Sequence, residues 1–346
     1  MISYPETQQY RDLIRSVRIY CSKKQNSENP ILPTMKFTGT VKLHGSNAAI
    51  VYEKDADFRC QSRNRIITPT SDNAGFAAFT FPIANQFLHE KILPNNQTIA
   101  KLYNEGKTIV IFGEWCGGKI QSGVAISHLP LMFVIFKIQI VSHSSGDSAE
   151  ASDGPNRVWL DPQHWLDLEW KEKSIYNIFK FKKFEVEIDF DNPAQAQNEL
   201  VKITEEVESC CPVGAAFNSF GVGEGVVWTE WPRTAGQLSF KVKGEKHAVT
   251  RVKTLAPIDV EKMTNINEFI EFACTENRMK QGLDFLAEQN LTTEMKNFPV
   301  FIRWLNNDII KEEKETMDKS HLNPKDVSAA VAKKGRNWFQ QESIHP

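Results

Sequence analysis

The stretch KFTGTVKLHGSNAAIVYEK at residues 36–54 decides the fold prediction. β-Branched and aromatic residues recur in two runs within it, and these residue types favour extended strands. Gly45-Ser46-Asn47 lies between the two runs and is a turn signal, because glycine accepts backbone angles that other residues avoid. The stretch therefore predicts two strands joined by a turn, with Lys42 near the end of the first strand.

The rest of the chain divides into a strand-rich part and a helical part. Further strands are predicted at 108–118, 131–141, 181–190, 223–231 and 237–247, an exposed hairpin loop at 142–156 and a helix at 192–211. The pattern changes after Pro257, where apolar residues recur every three or four positions. We therefore predict a mixed strand-rich domain followed by a small bundle of helices.

Composition excludes several classes of protein. The 346 residues suit about two domains. With 41 Lys and Arg against 43 Asp and Glu, the net charge is −2, so any surface for nucleic acid must be local. The six cysteines form no CxxC pair, which predicts reduced thiols and no zinc framework. The N-terminus has no apolar signal core and no stretch reaches the ~18 apolar residues of a membrane helix, which predicts a cytoplasmic protein without a membrane partner.

Five short segments place charged residues beside predicted strand ends. Each of them is common in proteins when taken alone, and their order along the chain is the informative feature. The segments are Lys42-Leu43-His44-Gly45, Ser62-Arg63-Asn64, Phe112-Gly113-Glu114, Glu224-Gly225-Val226-Val227 and Lys241-Val242-Lys243. In the last segment the two lysines share one face of a strand, because side chains alternate between faces.

This ordered set resembles the covalent nucleotidyltransferases, namely ATP-dependent RNA and DNA ligases and mRNA capping enzymes. DNA ligases and capping enzymes usually carry Asp where His44 stands. Histidine followed by Gly-Ser-Asn is similar to the phage T4 RNA ligase 2 family and the kinetoplastid RNA-editing ligases. The resemblance implies an α+β fold, with a nucleotidyltransferase (adenylation) domain of antiparallel sheets over residues 1–253. A small all-helical domain over residues 254–346 would engage the nick or duplex, whereas DNA ligases continue into a β-barrel.

The resemblance also implies a role for each motif residue. Lys42 would attack the α-phosphate of ATP and form a lysyl–AMP bond, with Lys241 and Lys243 binding the phosphates. Arg63 would contact the ribose and later the 5′-phosphate, and Glu114 would hold the ribose hydroxyls. Each of these assignments suits the chemistry of its side chain, because a carboxylate accepts hydrogen bonds from hydroxyls and a guanidinium forks onto phosphate.

The remaining assignments concern adenine, metal and nick. Phe136 would stack on adenine, although the family often has Asp where Lys137 follows it, and Phe133 is the alternative. Glu224 would position Mg²⁺, or Mn²⁺ in its place, through water. Asn47 and Gln121 match family positions that handle the nick. His44 either shapes the turn by hydrogen bonding or contacts the phosphates or nick, and the two roles are compatible.

A nucleophilic lysine must first lose its proton. With a reference pKa of ~10.4, forming the neutral amine at pH 7 costs roughly 4.6 kcal/mol. Neighbouring cations favour the neutral amine and also neutralise the charge that develops at phosphorus. A pair of lysines and a metal ion in the same pocket therefore serve both needs.

The sequence thus predicts an ATP-dependent RNA ligase that joins 3′-OH and 5′-phosphate ends at nicks in duplex RNA or RNA–DNA hybrids, acting as a monomer. The first alternative is a DNA ligase or a capping-type nucleotidyltransferase, against which His44 argues. The second is a non-catalytic RNA-binding protein on a ligase scaffold, against which the intact motif residues argue. The predicted activity is compatible with RNA repair, RNA editing and tRNA restoration, because all three need this same chemistry.

Overall fold

The computed structural model describes residues 1–72, 74–118, 120–142, 156–244 and 266–343. The chain divides into two compact units, Met1–Val242 and Lys243–Pro346. The predicted domain boundary between residues 253 and 254 lies outside the described residues, as does most of the loop predicted at 142–156.

Two β-sheets, mostly of antiparallel pairs, form the centre of the first unit. In the first sheet the strand order is β1-β12-β11-β2-β10, and in the second it is β5-β4-β3-β6-β7-β8, with β9 paired to β7. The strands are β1 (Gln8–Gln9), β2 (Thr34–Lys42), β3 (Ser46–Tyr52), β4 (Arg59–Ser62), β5 (Ile66–Ile67), β6 (Thr108–Cys116), β7 (Met132–Ser142), β8 (Asn156–Trp159), β9 (Ile175–Asn177), β10 (Lys183–Asp189), β11 (Gly225–Glu230) and β12 (Ser239–Lys243). The prediction of an α+β fold with antiparallel sheets is confirmed.

Helices connect the strands and make up the described part of the second unit. Those of the first unit are α1 (Tyr10–Gln25), α2 (Phe76–Thr80), α3 (Ala84–Gln86), α4 (Gln97–Asn104), α5 (Gln197–Ser209) and α6 (Pro212–Ala216). Those of the second unit are α7 (Ile266–Ala273), α8 (Glu276–Glu288), α9 (Phe298–Glu312), α10 (Lys314–Lys319) and α11 (Pro324–Glu342). The helical character predicted for the C-terminal region is therefore confirmed.

Alternation along β2 gives the first sheet one core face and one polar face. Phe37 and Val41 are buried, while Lys42 is partly exposed. On the core face the ring of Trp228 lies over Gly39, where an added Cβ atom would be 2.7 Å from the ring. Glycine at position 39 therefore lets β11 and β2 pack this aromatic layer closely.

The central strands of the second sheet, β3, β6 and β7, are almost entirely buried, and β7 contains a β-bulge. The pairing of β6 with β7 shifts register between Phe112 and Gly113, which pair with Lys137 and Ile135. Phe136 is therefore the additional residue on β7. The N-terminal segment covers one face of this sheet, because Ile2 packs in one apolar cluster with Val110 and Phe112. The backbone nitrogen of Ile2 also donates to Oε1 of Gln61 at 3.1 Å.

The second unit has its own apolar core, which includes Phe301, Leu305 and Val331. A fully buried arginine lies beside it: Arg278 Nε is 2.9 Å from Oδ2 of Asp308, and another guanidinium nitrogen is 3.2 Å from Oε1 of Glu313. No helix in the described ranges is long and apolar enough to cross a membrane. All six cysteines of the chain are free thiols.

Several element boundaries differ from the sequence-based prediction. The break between the first two strands falls at residues 43–45, since β3 already begins at Ser46. The helix predicted at 192–211 is shorter, because Pro193 begins a 3-10 turn and α5 starts at Gln197. The local sequence pattern did not predict α1 or the helices between residues 76 and 104, which pack against distant parts of the chain.

Candidate active site

Lys42, His44 and Glu224 meet at the end of β2. The Nζ atom of Lys42 is 2.8 Å from Oε2 of Glu224, and Nδ1 of His44 is 3.5 Å from the same oxygen. Glu224 is almost fully buried, with 2 % of its side chain exposed, while the Lys42 and His44 side chains are 22 % and 20 % exposed. One buried carboxylate therefore holds two basic side chains that remain accessible to solvent.

Strand pairing explains this meeting of residues that are far apart in sequence. Gly225, the first residue of β11, pairs with Lys42 at the end of β2, so Glu224 lies directly beside that end. Gly45 then lets the chain enter β3 against the end of β6, because a Cβ atom there would be 2.5 Å from the carbonyl oxygen of Trp115. The Lys-Leu-His-Gly segment thus connects β2 of the first sheet to β3 of the second sheet, with no room for a side chain at position 45.

Lys241 and Lys243 lie on β12, which pairs with β11 in the first sheet. Burial along this strand alternates: Phe240 and Val242 are buried, and the two lysines are half-buried. Ser239, Lys241 and Lys243 therefore share the face opposite to the core. Lys243 is the last residue of β12 and the first residue of the second unit.

The second sheet carries Glu114 and Phe136, which are predicted to contact the nucleoside, and Asn47, which is predicted to contact the nick. Asn47 on β3 pairs directly with Glu114 on β6. Phe136 is half-buried, and its ring lies edge-on to Tyr4 with centroids 5.2 Å apart. Burial, together with the nearby Glu114 carboxylate, raises the pKa of the Tyr4 hydroxyl, and Arg63 partly offsets this effect.

The remaining predicted residues occupy loops or the opposite face. Arg63 is exposed in the turn between β4 and β5, and Gln121 lies in the loop that follows β6. Phe133 is fully buried, and its ring would be 2.4 Å from a Cβ atom at Gly113. A fully buried ring has no free face for a base, so the arrangement favours Phe136 over Phe133 as the adenine-stacking residue.

The structure adds two residues that sequence analysis did not assign to the site. Tyr4 comes from the N-terminal segment and contacts both Phe112 and Phe136. Lys137, which sequence analysis noted only as a departure from the family pattern, is buried beside Trp159. Neither position has a local sequence signal, because Tyr4 contacts strands far along the chain and Lys137 donates to Gly236, 99 positions away.

The metal prediction rests on one buried carboxylate. In the described ranges no group of three or more His, Cys, Asp and Glu residues is arranged to hold a metal ion. Mg²⁺ commonly keeps several waters and binds through one or two carboxylates together with substrate phosphates. Glu224 lies beside cationic side chains. It therefore suits an ion that binds together with the nucleotide better than an ion held permanently by protein ligands alone.

The antiparallel sheets, with Lys42 at the end of β2 and Lys241 and Lys243 on β12, agree with the nucleotidyltransferase fold that the resemblance implies. The model of the RNA ligase family matches residues 35–243, which include most of both sheets and all ten predicted site residues. The chain therefore belongs to the RNA ligase family. The family prediction made from the ordered motifs is confirmed.

Solved structures similar to this chain include Naegleria gruberi RNA ligase with PPi, at 17% identity and a TM-score of 0.41. A variant of that ligase with AMP and Mn has 18% identity and a TM-score of 0.43. Both matches cover 71% of this chain but only 56% of the ligase chain, so this chain matches little more than half of their length. No curated protein sequence matches the chain.

Proposed function

We propose that this protein is an ATP-dependent RNA ligase in which Lys42 is the adenylylated residue. The observation that carries the proposal is the contact between Lys42 and the buried Glu224 at the junction of the two sheets. Family membership supports the reaction class, and the solved relatives with ATP, AMP and Mn support the choice of nucleotide and metal.

In the proposed first step, the Lys42 amine attacks the α-phosphorus of ATP. The new Nζ–P bond forms as the bond to the bridging oxygen breaks and pyrophosphate leaves, and the amine loses its proton. Lys42 must leave Glu224 for this attack, since its nitrogen is held there at 2.8 Å. Lys241 and Lys243 would neutralise the triphosphate, and Glu114 would accept hydrogen bonds from the ribose hydroxyls.

A divalent ion, Mg²⁺ or Mn²⁺, would supply charge neutralisation at the phosphates when bound beside Glu224. Glu224 would hold this ion through water. The same carboxylate contacts Lys42 and His44, so it would also orient these two basic side chains.

The later steps join RNA ends. The terminal phosphate oxygen of the 5′ end attacks the Lys42-linked AMP, which frees Lys42, and the 3′-OH then displaces AMP from the adenylylated end. Arg63 would bind the 5′-phosphate, while His44, Asn47 and Gln121 would contact the nick. A nick in duplex RNA or in an RNA–DNA hybrid is the proposed substrate, recognised by a monomer.

The test is covalent labelling with radiolabelled ATP and Mg²⁺, followed by mass spectrometry of the labelled peptide. We expect one AMP on Lys42 and no label on Lys42→Ala. The matched control is Lys36→Ala, a lysine on the same face of β2 with a side chain that is 76% exposed. It should label like the wild type. Full labelling of Lys42→Ala would refute the proposal.

The substrate requires a second assay. Nicked duplexes of RNA, RNA–DNA hybrid and DNA are sealed side by side with ATP or GTP. We expect ATP-dependent sealing of nicks that contain RNA. Labelling by GTP, or equal sealing of all-DNA nicks, would instead favour a capping-type enzyme or a DNA ligase. Binding of duplex RNA without any protein–AMP bond would favour a non-catalytic RNA-binding protein.

The helical unit is proposed to engage the duplex backbone. Lys325, Lys333 and Arg336 are exposed on α11, and RNA duplexes are commonly held through shape and phosphate contacts. Changing all three residues to Glu should leave labelling of Lys42 unchanged and reduce nick sealing. Unchanged sealing at physiological salt would remove this face from the proposal.

A further inference from the structure

Lys137 is a buried lysine with a specific set of partners. It is 4 % exposed, and its Nζ atom donates to the carbonyl oxygen of Gly236 at 2.7 Å and lies 3.2 Å from Oγ of Ser239. The same nitrogen is 4.4 Å from the ring centroid of Trp159 and 5.6 Å from that of Trp231. Burial lowers the pKa of Lys137 to about 7.

The β-bulge in β7 brings Lys137 to this position. In a regular strand, adjacent residues point to opposite faces, but at a bulge two residues oppose one and the side chains are re-aimed. Phe136 and Lys137 both approach Tyr4, with the ring of Phe136 at 5.2 Å and Nζ of Lys137 at 6.0 Å from the Tyr4 centroid. The residue proposed to stack on adenine and the buried lysine therefore share one face of the second sheet.

The two hydrogen-bond partners of Lys137, Gly236 and Ser239, belong to the turn and strand of the other sheet. Gly236 closes the turn between β11 and β12 with φ of +78°, and a Cβ atom there would be 2.5 Å from the Trp231 ring. The carboxylate of Glu230, itself fully buried, accepts hydrogen bonds from the backbone nitrogens of Arg233 and Thr234 in the same turn. This turn is thus held from within by Glu230 and from the opposite sheet by Lys137.

The strand that follows the turn carries the lysines proposed to bind phosphate. Ser239 begins β12, and Lys241 lies two residues further on the same face. Ser239 Oγ is also 3.2 Å from Oγ1 of Thr229 on β11. A movement of Ser239 would therefore also displace Lys241, which lies two residues further along the same five-residue strand.

We propose that Lys137 is a positioning residue, which sets the distance between Phe136 on one sheet and Lys241 on the other. The proposal rests on the proposed function, because it assigns adenine to the first side and the triphosphate to the second. A lysine suits this place, since the N–H groups at the end of its long side chain can reach the oxygens of Gly236 and Ser239 at once. A nucleotide held at both ends would then present its α-phosphate to Lys42 at a fixed distance.

The experiment compares Lys137→Met with the wild type in single-turnover labelling by ATP, after both have been discharged with pyrophosphate. Methionine keeps much of the side-chain volume and removes every donor. We expect the labelling rate at saturating ATP to fall at least 10-fold, while the ATP concentration for half-maximal rate changes less than 3-fold. A displacement on the order of 1 Å at a reacting group has effects of this size.

Two further variants separate positioning from general stability. Ser239→Ala removes one partner of Lys137 and should lower the rate at saturating ATP several-fold, again with little change in half-saturation. Lys101→Met, on the exposed surface of α4 with a side chain that is 77% exposed, is the control and should label like the wild type. If Lys137→Met does not fold, Ser239→Ala carries the test alone.

The outcomes distinguish this inference from the proposed function. A wild type that forms no protein–AMP bond refutes the function. A labelled wild type together with an unimpaired, folded Lys137→Met refutes the positioning role only. An unimpaired Ser239→Ala refutes it when Lys137→Met is not folded. A loss seen only in half-saturation would make Lys137 part of nucleotide binding and would also refute the inference.

Discussion

Replacing Lys42 by methionine should destabilise the protein as well as prevent adenylylation. The side chains of Lys42 and Glu224 are 22% and 2% exposed and 2.8 Å apart. At this distance the attraction of two unit charges is about 6 kcal/mol at an effective dielectric constant of about 20. Desolvation of Glu224 and of part of Lys42 offsets much of that attraction.

The net change in the free energy of unfolding depends on which charged side chain each variant leaves in the folded protein. Removing one partner of a fully buried ion pair costs about 3–5 kcal/mol, and because Lys42 is partly solvated we expect about 2–3 kcal/mol for Lys42→Met. Glu224→Gln leaves an ammonium that can turn toward water, so it should cost only about 1 kcal/mol. The double variant retains neither charge and should be no less stable than Lys42→Met.

The assay is urea unfolding of the wild type, both single variants and the double variant, followed by fluorescence of the tryptophans. The resulting double-mutant cycle isolates the coupling between the two side chains, which we expect to be about 1–2 kcal/mol. Lys36→Met is the control, because its pair with Glu187 is exposed and 4.0 Å long. Strictly additive losses in the double variant would refute the reasoning, as would a Lys42→Met variant as stable as the wild type.

Three further predictions concern the rest of the fold. Gly113→Ala should lower the free energy of unfolding by about 1–3 kcal/mol, because the added Cβ atom would lie 2.4 Å from the Phe133 ring; an unchanged melting temperature would contradict the packing described. Arg278→Met should lower the free energy of unfolding by about 3–5 kcal/mol, because Glu313 then stays buried without this arginine. Limited proteolysis should cut only within residues 266–343, while Lys42 in the first unit is still labelled by ATP. In the folded protein the pKa of Lys137 is about 7, below the ordinary value of 10.5. Between pH 7 and pH 10.5 the unfolded chain therefore binds more protons at this residue than the folded protein does. The free energy of unfolding should consequently rise with pH over this range. Urea unfolding at pH 7 to 9 should show this rise in the wild type and a flatter profile in Lys137→Met.

The ordered motifs were sufficient to predict the family, because they reflect the chemistry that a nucleotidyl transfer requires. Lys42 and Glu224 were both identified although 182 positions separate them, since each lies beside a strand with a recognisable apolar pattern. The strands β2, β6, β7 and β11 were predicted for the same reason. The roles of the individual residues, including His44 and Gln121, stay predictions.

Other features could not be read from local patterns. Tyr10 of helix α1 packs against Phe240, so this contact joins the beginning and the end of the first unit's sequence. The π-helical segment Phe87–Ile92 and the short helices around it have no regular amphipathic repeat long enough to detect. The exact break before β3 depends on how closely Gly45 approaches β6, which is a property of the packed sheets.

Sequence alone predicted the class of fold and a strand-rich part followed by a helical part, because strand and helix patterns are local properties of the chain. Through the resemblance to a known family, its charged motifs also predicted a set of residues suited to nucleotidyl transfer. Only the tertiary structure decided that Phe136 and not Phe133 has an accessible ring, since a bulge in β7 changes which side chains share a face. Only the tertiary structure showed that Lys137 bridges the two sheets. Burial and long-range pairing arise when distant segments fold together, and no local pattern contains them.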